Sequence, residues 1–223
     1  MDKKKQQTLF IVLIVLLSAI LIGVIVLIVS KYTGGAKEET TEVVEETGKG
    51  KGKSGKVHEL KAFAMNDPVT NAVTLKPQYG NHYEADCLFD DRRSTAWTVG
   101  TKEYSRFESG EGSGVAPYVN IGFTGKEVTY AMVRNGYGKS TKHFKMNARP
   151  QALKVEAYKK GSDTPVGTLY EGNLKDTNSP QKINFKSLDK PYDYVRFIVD
   201  KYSVYPGYKY DDICIDEITL YGK

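Results

Sequence analysis

The sequence predicts an all-β sandwich, a domain of two packed β-sheets, preceded by one membrane-spanning segment. Short segments rich in β-branched and aromatic residues recur after residue 57, each bounded by Gly, Pro, Asn or Asp. Apolar and polar residues alternate in several of them, as at Leu153, Val155 and Ala157. No segment after residue 30 keeps the 3.6-residue apolar period of a helix. We therefore expect roughly eight strands around one core.

Six segments show this strand pattern most clearly. They are residues 116–123, 128–134, 152–158, 181–185, 194–200 and 213–222. In the last of them the alternation slips by one residue between Ile215 and Ile218. A β-bulge at Asp216 and Glu217 would explain the slip and would turn Glu217 toward a structural partner or an ion.

The N-terminal 57 residues divide into three parts that lie outside the predicted sandwich. Residues 1–8 form a lysine-containing stub, residues 9–30 an apolar run, and residues 31–57 a linker rich in Gly, Glu and Lys. About 20 apolar residues span the hydrocarbon of a bilayer, so the run is long enough to cross it. It is longer than a signal-peptide core and no small-residue cleavage site follows, which favours an uncleaved anchor over a cleaved signal.

Charge and composition set the expected location and order of these parts. Lysines precede the apolar run, so the positive-inside tendency keeps the stub cytoplasmic and places the C-terminal domain outside the cell, on a single-pass membrane protein. The linker has too little apolar surface to offset the entropy lost on ordering, which predicts disorder. Residues 58–223 are numerous enough for one domain with a core of its own.

The composition excludes some classes of function. The chain has 32 Lys and Arg against 27 Asp and Glu, with no dense basic stretch in the predicted domain, which argues against nucleic acid as a partner. Nucleophile-elbow, zinc-protease and phosphate-loop motifs are absent. The adjacent carboxylates Asp90-Asp91 and Asp211-Asp212 would point to opposite faces of a strand. The sequence therefore predicts a non-catalytic domain without a cofactor.

The two cysteines, Cys87 and Cys214, leave two alternatives open. An extracellular location permits a disulfide between them. Two separate buried thiols are the other interpretation, and no histidine stands at zinc-ligand spacing from either cysteine.

Tyrosine is the residue type that the predicted domain has in excess, since 15 of the 16 lie after residue 57. Four of them crowd the segment KYSVYPGYKYDD: Tyr202, Tyr205, Tyr208 and Tyr210. An aromatic ring beside polar side chains suits a sugar, because the ring stacks on the sugar face while the polar groups bind its hydroxyls. The same tyrosines would equally serve to cap the ends of the sandwich, with their hydroxyls bound to backbone.

Four spaced motifs carry a family resemblance. LFDDRRSTAW, GEGSGVAPYVNIGF, NGYGKSTKHFKMNARP and VYPGYKYDDICIDEI follow one another between about Tyr83 and Gly222. In this order they resemble the discoidin-type domain found beside bacterial NAD glycohydrolases, a relative of the coagulation-factor type C and galactose-binding-like families. The resemblance implies a jelly-roll β-sandwich that recognises carbohydrate at one loop end and has no catalytic activity.

The resemblance also distributes roles among residues. The candidate ligand-binding residues are Tyr137, Arg149, Tyr205, Tyr208, Tyr210 and Asp211, gathered at one loop end. The candidate structural residues are Trp97, Asn135, Gly136, Asn147 and Glu217. Gly136 permits a tight turn. Arg149 is expected either to pair with Asp211 or Asp212 or to face the ligand.

The wider type C pattern implies a structural calcium, and this chain departs from that pattern. Relatives often read Asp-Gly-Asp before Thr-x-Trp and hold the ion with Asp, Thr, backbone carbonyls and a late Glu. The corresponding weak candidates here are Asp90, Thr95 and Glu217, but Arg92 stands within the loop. We therefore expect its guanidinium to replace the cation.

Two functions from different classes follow. The first is a membrane-anchored module that binds a cell-surface or cell-wall glycan. The alternative is an extracellular protein-interaction or scaffold module of the cell envelope. A hydrolase acting on wall polymers is the least favoured, since no catalytic motif supports it.

Overall fold

The computed structural model describes residues 56–77 and 82–223, and this part of the chain contains twelve strands. In chain order they are β1 (His58–Glu59), β2 (Ala62–Ala64), β3 (Trp97–Val99), β4 (Tyr118–Phe123), β5 (Val128–Asn135), β6 (Arg149–Pro150), β7 (Ala152–Tyr158), β8 (Pro165–Asn173), β9 (Gln181–Asn184), β10 (Tyr194–Val199), β11 (Val204–Tyr205) and β12 (Ile213–Gly222). Short helices lie between them: α1 (Pro68–Val73), a 3₁₀ turn (Ala85–Phe89), α2 (Thr101–Glu108) and α3 (Thr141–Met146).

Two five-stranded sheets form the sandwich, so the predicted all-β sandwich is confirmed. One sheet has the order β1-β12-β5-β9, with β3 also paired to β12; the other has the order β2-β4-β10-β7-β8. Strands β6 and β11 form a separate two-stranded ribbon. The strands outnumber the predicted eight because β1, β2, β3, β6 and β11 have only two or three residues, too few to show alternation.

The core lies between the inner faces of the two sheets. Val133 and Leu220 face inward from the first sheet, and Ile121 and Phe197 from the second, all without appreciable exposed surface. Trp97 is fully buried among them, and its indole nitrogen donates a hydrogen bond to the Thr74 hydroxyl at 3.0 Å. This bond satisfies the one polar atom that burying an indole would otherwise leave unpaired.

The last strand contains the predicted bulge. The register of β12 against β5 shifts between Ile215 and Glu217, so Asp216 has no partner in the ladder. The shift lets Ile215 and Ile218 both reach the core although they are three positions apart.

Three helices were not predicted from the apolar period. Each has six to eight residues, which is too short for that period to show. Side-chain caps mark the starts of α1 and α3 instead. The Asp67 carboxylate accepts hydrogen bonds from the backbone N–H groups of Val69 and Thr70, and Pro68 occupies the first helical position of α1; the Ser140 hydroxyl accepts from the His143 N–H at the start of α3.

The predicted stub (1–8), membrane span (9–30) and nearly all of the linker (31–57) lie outside the described residues. Within residues 56–77 and 82–223, no helix combines the length and the apolar character needed to cross a bilayer.

The two cysteines are free thiols, both buried. Of the two alternatives that the sequence leaves open, the structure therefore shows the unbonded one.

Candidate functional site

A groove lies at the edge of the first sheet where three strand ends meet. Val99, the last residue of β3, pairs with Ile213, the first residue of β12; Asn135, the last residue of β5, pairs with Ile215. Antiparallel pairing therefore brings together the segments that follow β3, follow β5 and precede β12. They enclose a groove of about 680 Å³, which is within the size range of small-molecule sites.

Three tyrosines line this groove in different states of burial. Tyr137 is buried, and its hydroxyl donates to the Ser94 carbonyl at 2.8 Å. Burial raises the pKa of Tyr137 to about 12, so the hydroxyl stays protonated. Tyr83 lies edge-on to Tyr137, with ring centroids 6.5 Å apart. Tyr210, by contrast, is 41% exposed and presents its ring at the surface.

Polar groups in the groove divide into engaged and unengaged ones. The Asp212 carboxylate accepts from the Thr101 backbone N–H at 2.8 Å, at the start of α2. His143 Nδ1 lies 2.8 Å from the Ser140 hydroxyl. The Thr101 hydroxyl and the Asp211 carboxylate make no hydrogen bond or ion pair within the described part of the chain, so both are available to a ligand.

The turn that carries Tyr137 depends on a glycine. Gly136 has a φ of +75°, a conformation that side-chain-bearing residues rarely adopt, and a Cβ there would lie 2.5 Å from the Phe144 ring. Buried Asn135 holds the turn on both sides: its amide donates to the Pro150 carbonyl at 2.8 Å and its carbonyl accepts from the Gly136 N–H at 3.0 Å.

The loop that carries Tyr210 is held against the end of α3. The Tyr210 N–H donates to the Met146 carbonyl at 2.9 Å. Gly207 allows this approach, since a Cβ there would lie 2.4 Å from that same carbonyl oxygen. Asn147 ends α3 and donates its side-chain amide to the His143 carbonyl at 2.9 Å. Asn147 also borders the groove.

Arg149 pairs with neither of its expected partners and does not line the groove. Its guanidinium binds Asp176 through two parallel bonds, Nε to Oδ1 at 2.6 Å and Nη2 to Oδ2 at 2.8 Å. Its Nη1 donates to backbone carbonyls, that of Pro206 among them at 3.3 Å. The expectation of a pair with Asp211 or Asp212 is wrong, because β6 directs Arg149 behind the groove toward the segment that follows β8.

The six candidate ligand-binding residues are therefore divided by the structure. Tyr137, Tyr210 and Asp211 line the groove. Arg149 is buried, and Tyr205 donates its hydroxyl to the Leu174 carbonyl at 3.0 Å. Tyr208 is 65% exposed but lies outside the groove lining.

The weak calcium candidates do not form an ion site. The Thr95 hydroxyl lies 2.8 and 3.0 Å from the two carboxylate oxygens of Asp90, and Glu217 lies 2.9 Å from Nη2 of Arg134. Calcium takes six to eight oxygen ligands. No group of three or more His, Cys, Asp or Glu residues in the described ranges is placed to hold a metal. These residues do not fit the calcium implied by the wider pattern.

A guanidinium does lie among these carboxylates, but it belongs to β5 rather than to the Asp90 loop. Besides Glu217, Arg134 approaches Asp216 through Nε at 3.1 Å and Asp91 through Nη1 at 3.4 Å. Arg92, which was expected to take this position, has an exposed side chain without an ion pair among the described residues. The expectation for Arg92 is wrong because the loop turns its side chain to solvent.

The two carboxyl groups of the bulge, those of Asp216 and Glu217, have raised pKa values. Burial raises the pKa of Asp216 to about 6 and that of Glu217 to about 7, and the neighbouring Arg134 opposes both shifts only in part. Arg93 lies at the edge of this cluster, with its Nε 3.8 Å from Asp216.

Sequence reasoning missed most of the charged lining of the groove. Four lysines border it: Lys76, Lys102, Lys139 and Lys209. They come from four separate segments, so only the fold brings them together. Two segments pointed to this end of the domain in sequence: NGYGKSTKHFK, with its three lysines, and the tyrosine-rich segment KYSVYPGYKYDD.

Comparison with known proteins places nearly all of the sandwich in one family. The family model of the NAD glycohydrolase translocation F5/8 type C domain matches residues 62–221. A comparison with curated proteins finds no match.

Several solved structures are similar to this chain. One is the CpGH89 CBM32-5 module from Clostridium perfringens in complex with GalNAc-β-1,3-galactose (16% identity, 72% of this chain and 94% of that chain, TM-score 0.47). Another is the family 32 carbohydrate-binding module of NanJ from C. perfringens in complex with galactose (13% identity, 73% and 100%, TM-score 0.43). A third is an F5/8 type C domain from Bacteroides fragilis (12% identity, 74% and 91%, TM-score 0.46). Those sugars are ligands of those proteins.

Proposed function

Because this chain belongs to the NAD glycohydrolase translocation F5/8 type C domain family, we propose that it is a non-catalytic carbohydrate-binding module with the groove as its binding site. The family match covers every described segment that lines the groove, and both sheets except for β1 and the last residue of β12. A function located there is therefore a function of the family domain itself.

One observation carries the proposal: an exposed aromatic ring stands beside unengaged polar groups. Tyr210 presents its ring, while the Thr101 hydroxyl and the Asp211 carboxylate have no partner among the described residues. A sugar ring needs an aromatic face for its C–H surface and acceptors and donors for its hydroxyls. This wall of the groove supplies both.

The carboxylates of the groove support binding rather than hydrolysis. Glycosidases use two carboxyl groups that face each other across the scissile bond. Here the Asp212 carboxylate is bound to the Thr101 backbone, and Glu103 has one carboxylate oxygen buried without a hydrogen-bond partner. Among the described residues of the lining, Asp211 is the exposed carboxylate that has no hydrogen bond or ion pair, whereas Glu103 and Asp212 are half-buried.

A glycan array probed with the full chain tests this proposal. The chain is kept in a detergent whose headgroup is not a sugar, so that the detergent does not compete. We expect binding to a restricted set of glycans, and we expect Tyr210→Ala to weaken it. Absence of binding to every glycan, from protein with a normal melting transition, would refute the proposal.

A protein partner is the second candidate function, and one observation favours it. Tyr202 and Tyr208 are 84% and 65% exposed, and neither lines the groove. Exposed tyrosines are frequent anchors of protein interfaces. A co-purifying protein lost on Tyr202→Ala and Tyr208→Ala, together with an empty glycan array, would favour this function over the first.

We also propose that the domain is displayed outside the cell. The apolar run of residues 9–30 would anchor it, and residues 31–57 would separate it from the bilayer surface. A glycan-binding groove at the far end of such a linker would reach cell-surface or cell-wall polymers.

A further inference from the structure

We propose that the glycan is anionic, and that lysines of the groove hold its carboxylate or phosphate groups. This inference rests on the proposed carbohydrate-binding function and adds the chemical class of the ligand. It follows from the charges that the fold gathers around the groove.

The fold gathers four lysines around the groove, and none of them has an acidic partner among the described residues. None of Lys76, Lys102, Lys139 and Lys209 makes an ion pair within the described part of the chain. Outside the groove some of the described lysines pair with a carboxylate, as Lys154, Lys159 and Lys201 do, and others, such as Lys186 and Lys190, do not. Lys102 and Lys139 are exposed and have no hydrogen-bond partner among the described residues, so their ammonium groups remain available.

Of the other two lysines, Lys209 lies beside the exposed ring of Tyr210, and Lys76 has donors to spare. Lys209 Nζ lies 5.1 Å from the centroid of the Tyr210 ring, and the pKa of Lys209 is raised, chiefly by its interaction with the Tyr210 hydroxyl. Lys76 donates one hydrogen bond to the Asn71 carbonyl at 3.2 Å, which leaves its other two donors free. A sugar placed on Tyr210 would therefore have an ammonium group next to its ring.

The carboxylates of the groove do not neutralise these lysines. The described lining contains three carboxylates, Glu103, Asp211 and Asp212, beside the four lysines. Asp212 already accepts from the Thr101 N–H at the start of α2, and Glu103 has one oxygen shielded from solvent. The described lining therefore has four lysines against three carboxylates, and Lys102 and Lys139 are exposed and unpaired, which favours an anionic ligand over a neutral one.

Because the cations of the groove are lysines, the groove should accept both carboxylate and phosphate groups. An ammonium group is a compact charge that accepts either a carboxylate or a phosphate oxygen, whereas arginine would favour planar bidentate partners. Among the described residues that line the groove there is no arginine. The exposed ring of Tyr210 would then select the sugar, and the lysines would select for a negative charge on it.

Matched pairs of glycans test the inference with the full chain. The probes are sialyllactose against lactose, phosphomannan against mannan, and inorganic phosphate as a competitor. Exposed ion pairs are individually weak, so we expect the acidic member of the pair for the recognised sugar to bind about three- to tenfold more tightly. The preference should shrink as salt is raised, because the Debye length is only about 10 Å at 0.1 M ionic strength. Inorganic phosphate alone should compete poorly, since it lacks the sugar.

Substitutions of two groove lysines test whether the preference for acidic glycans comes from the groove. Lys102→Gln with Lys139→Gln should abolish the preference, so that the acidic and the neutral glycan bind equally, while the melting temperature stays unchanged. Lys102→Arg with Lys139→Arg should retain it. The matched control is Lys186→Gln with Lys190→Gln, which removes the same charge from exposed positions outside the groove and should change nothing.

Several outcomes would overturn the inference. Equal affinity for acidic and neutral glycans would overturn it and leave the carbohydrate-binding function intact. A preference that survives in the folded Lys102→Gln and Lys139→Gln protein, or that is lost in the control, would also overturn it. Competition by inorganic phosphate at the same concentration as phosphomannan would show an anion site rather than a glycan site. No binding to any glycan would refute both proposals together.

Discussion

At the scale of single residues, Tyr208 and Tyr210 stand two positions apart on one loop but differ in surroundings. Tyr210 borders the groove, whereas Tyr208 is directed into solvent away from it. Aromatic stacking adds about 0.5–1.5 kcal/mol beyond area burial, so Tyr210→Ala should weaken glycan affinity by about tenfold or less. Titration calorimetry measures the loss, and the melting temperature should not change.

Tyr208→Ala is the matched control for this prediction. It removes the same side chain from the same loop and should leave both affinity and melting temperature as they are. Loss of affinity in Tyr208→Ala with normal binding in Tyr210→Ala would move the binding surface out of the groove to the exposed side of the loop.

Arg149 should act on stability rather than on binding. Its guanidinium is buried, bonded twice to Asp176 and stacked on the Phe144 ring at 4.5 Å. Arg149→Met would leave Asp176 and the backbone carbonyls without their donor, at a cost of about 3 kcal/mol in the free energy of unfolding. Chemical denaturation measures this cost.

The control for Arg149 is an exposed ion pair. Lys159→Met removes a lysine that pairs with Asp193 in solvent, and it should change the unfolding transition little. If Arg149→Met unfolds at the wild-type denaturant concentration but loses glycan affinity, then Arg149 is a ligand residue, as the family resemblance implied.

The thiols of Cys87 and Cys214 should be unreactive toward alkylating reagents in the folded domain. Burial raises the pKa of Cys87 to about 11 and that of Cys214 to about 12, and the thiolate is the form that reacts. Iodoacetamide near neutral pH should label neither cysteine in the native protein and both in denaturant. Absence of labelling in denaturant until a reductant is added would reveal a disulfide instead.

At the scale of elements, the bulge in β12 places two acids side by side under the Arg134 guanidinium. The folded-state pKa values of Asp216 and Glu217, about 6 and about 7, lie above their ordinary values of 3.8 and 4.5. The folded state therefore binds protons more tightly than the unfolded state. The stability contributed by protonation is complete below the ordinary values and is lost as pH rises through the range from 6 to 7.

The melting temperature should accordingly fall as pH rises from the ordinary pKa values of the two acids toward 7, and this pair should add no further change at higher pH. The charged groups that face the pair are Arg93 and Arg134, which oppose the shifts, and Asp90 and Asp91, which add to them. Glu217→Gln should flatten the dependence, because an amide does not titrate. Its control, Glu171→Gln at an exposed position on β8, should preserve the wild-type slope. An unchanged slope in Glu217→Gln would assign the pH dependence to other groups.

Much of the fold could be predicted from the sequence at this scale, and the reason is periodicity. The six clearest strand segments correspond to β4, β5, β7, β9, β10 and β12, and the slip in apolar alternation located the bulge. Strand β8 was missed because its glycines interrupt the β-branched pattern and its edge position leaves it partly exposed. The short helices were missed because capping, not period, defines them.

At the scale of the whole molecule, the site was harder to predict than the fold. The sequence located the turn at Gly136 and the loop at Tyr210, and antiparallel pairing brings both to one end of the domain. It did not reveal which side chains face outward there. Arg149 turned inward to Asp176, and the position expected for Arg92 was taken by Arg134 from another strand. Side-chain direction depends on tertiary partners that are distant in sequence, and a local motif does not specify them.

The proposed display outside the cell gives a prediction for the whole chain. The segment between the apolar run and the sandwich contains several lysines, among them Lys49, Lys51 and Lys53. Trypsin added to intact cells should therefore cut this segment and release a fragment that begins within residues 32–57, which mass spectrometry identifies. A cytoplasmic protein that stays intact in the same sample shows that the membrane is closed. If the domain survives until the membrane is permeabilised, then its orientation is the reverse; if it is already free in the medium without protease, then the apolar run is a cleaved signal rather than an anchor.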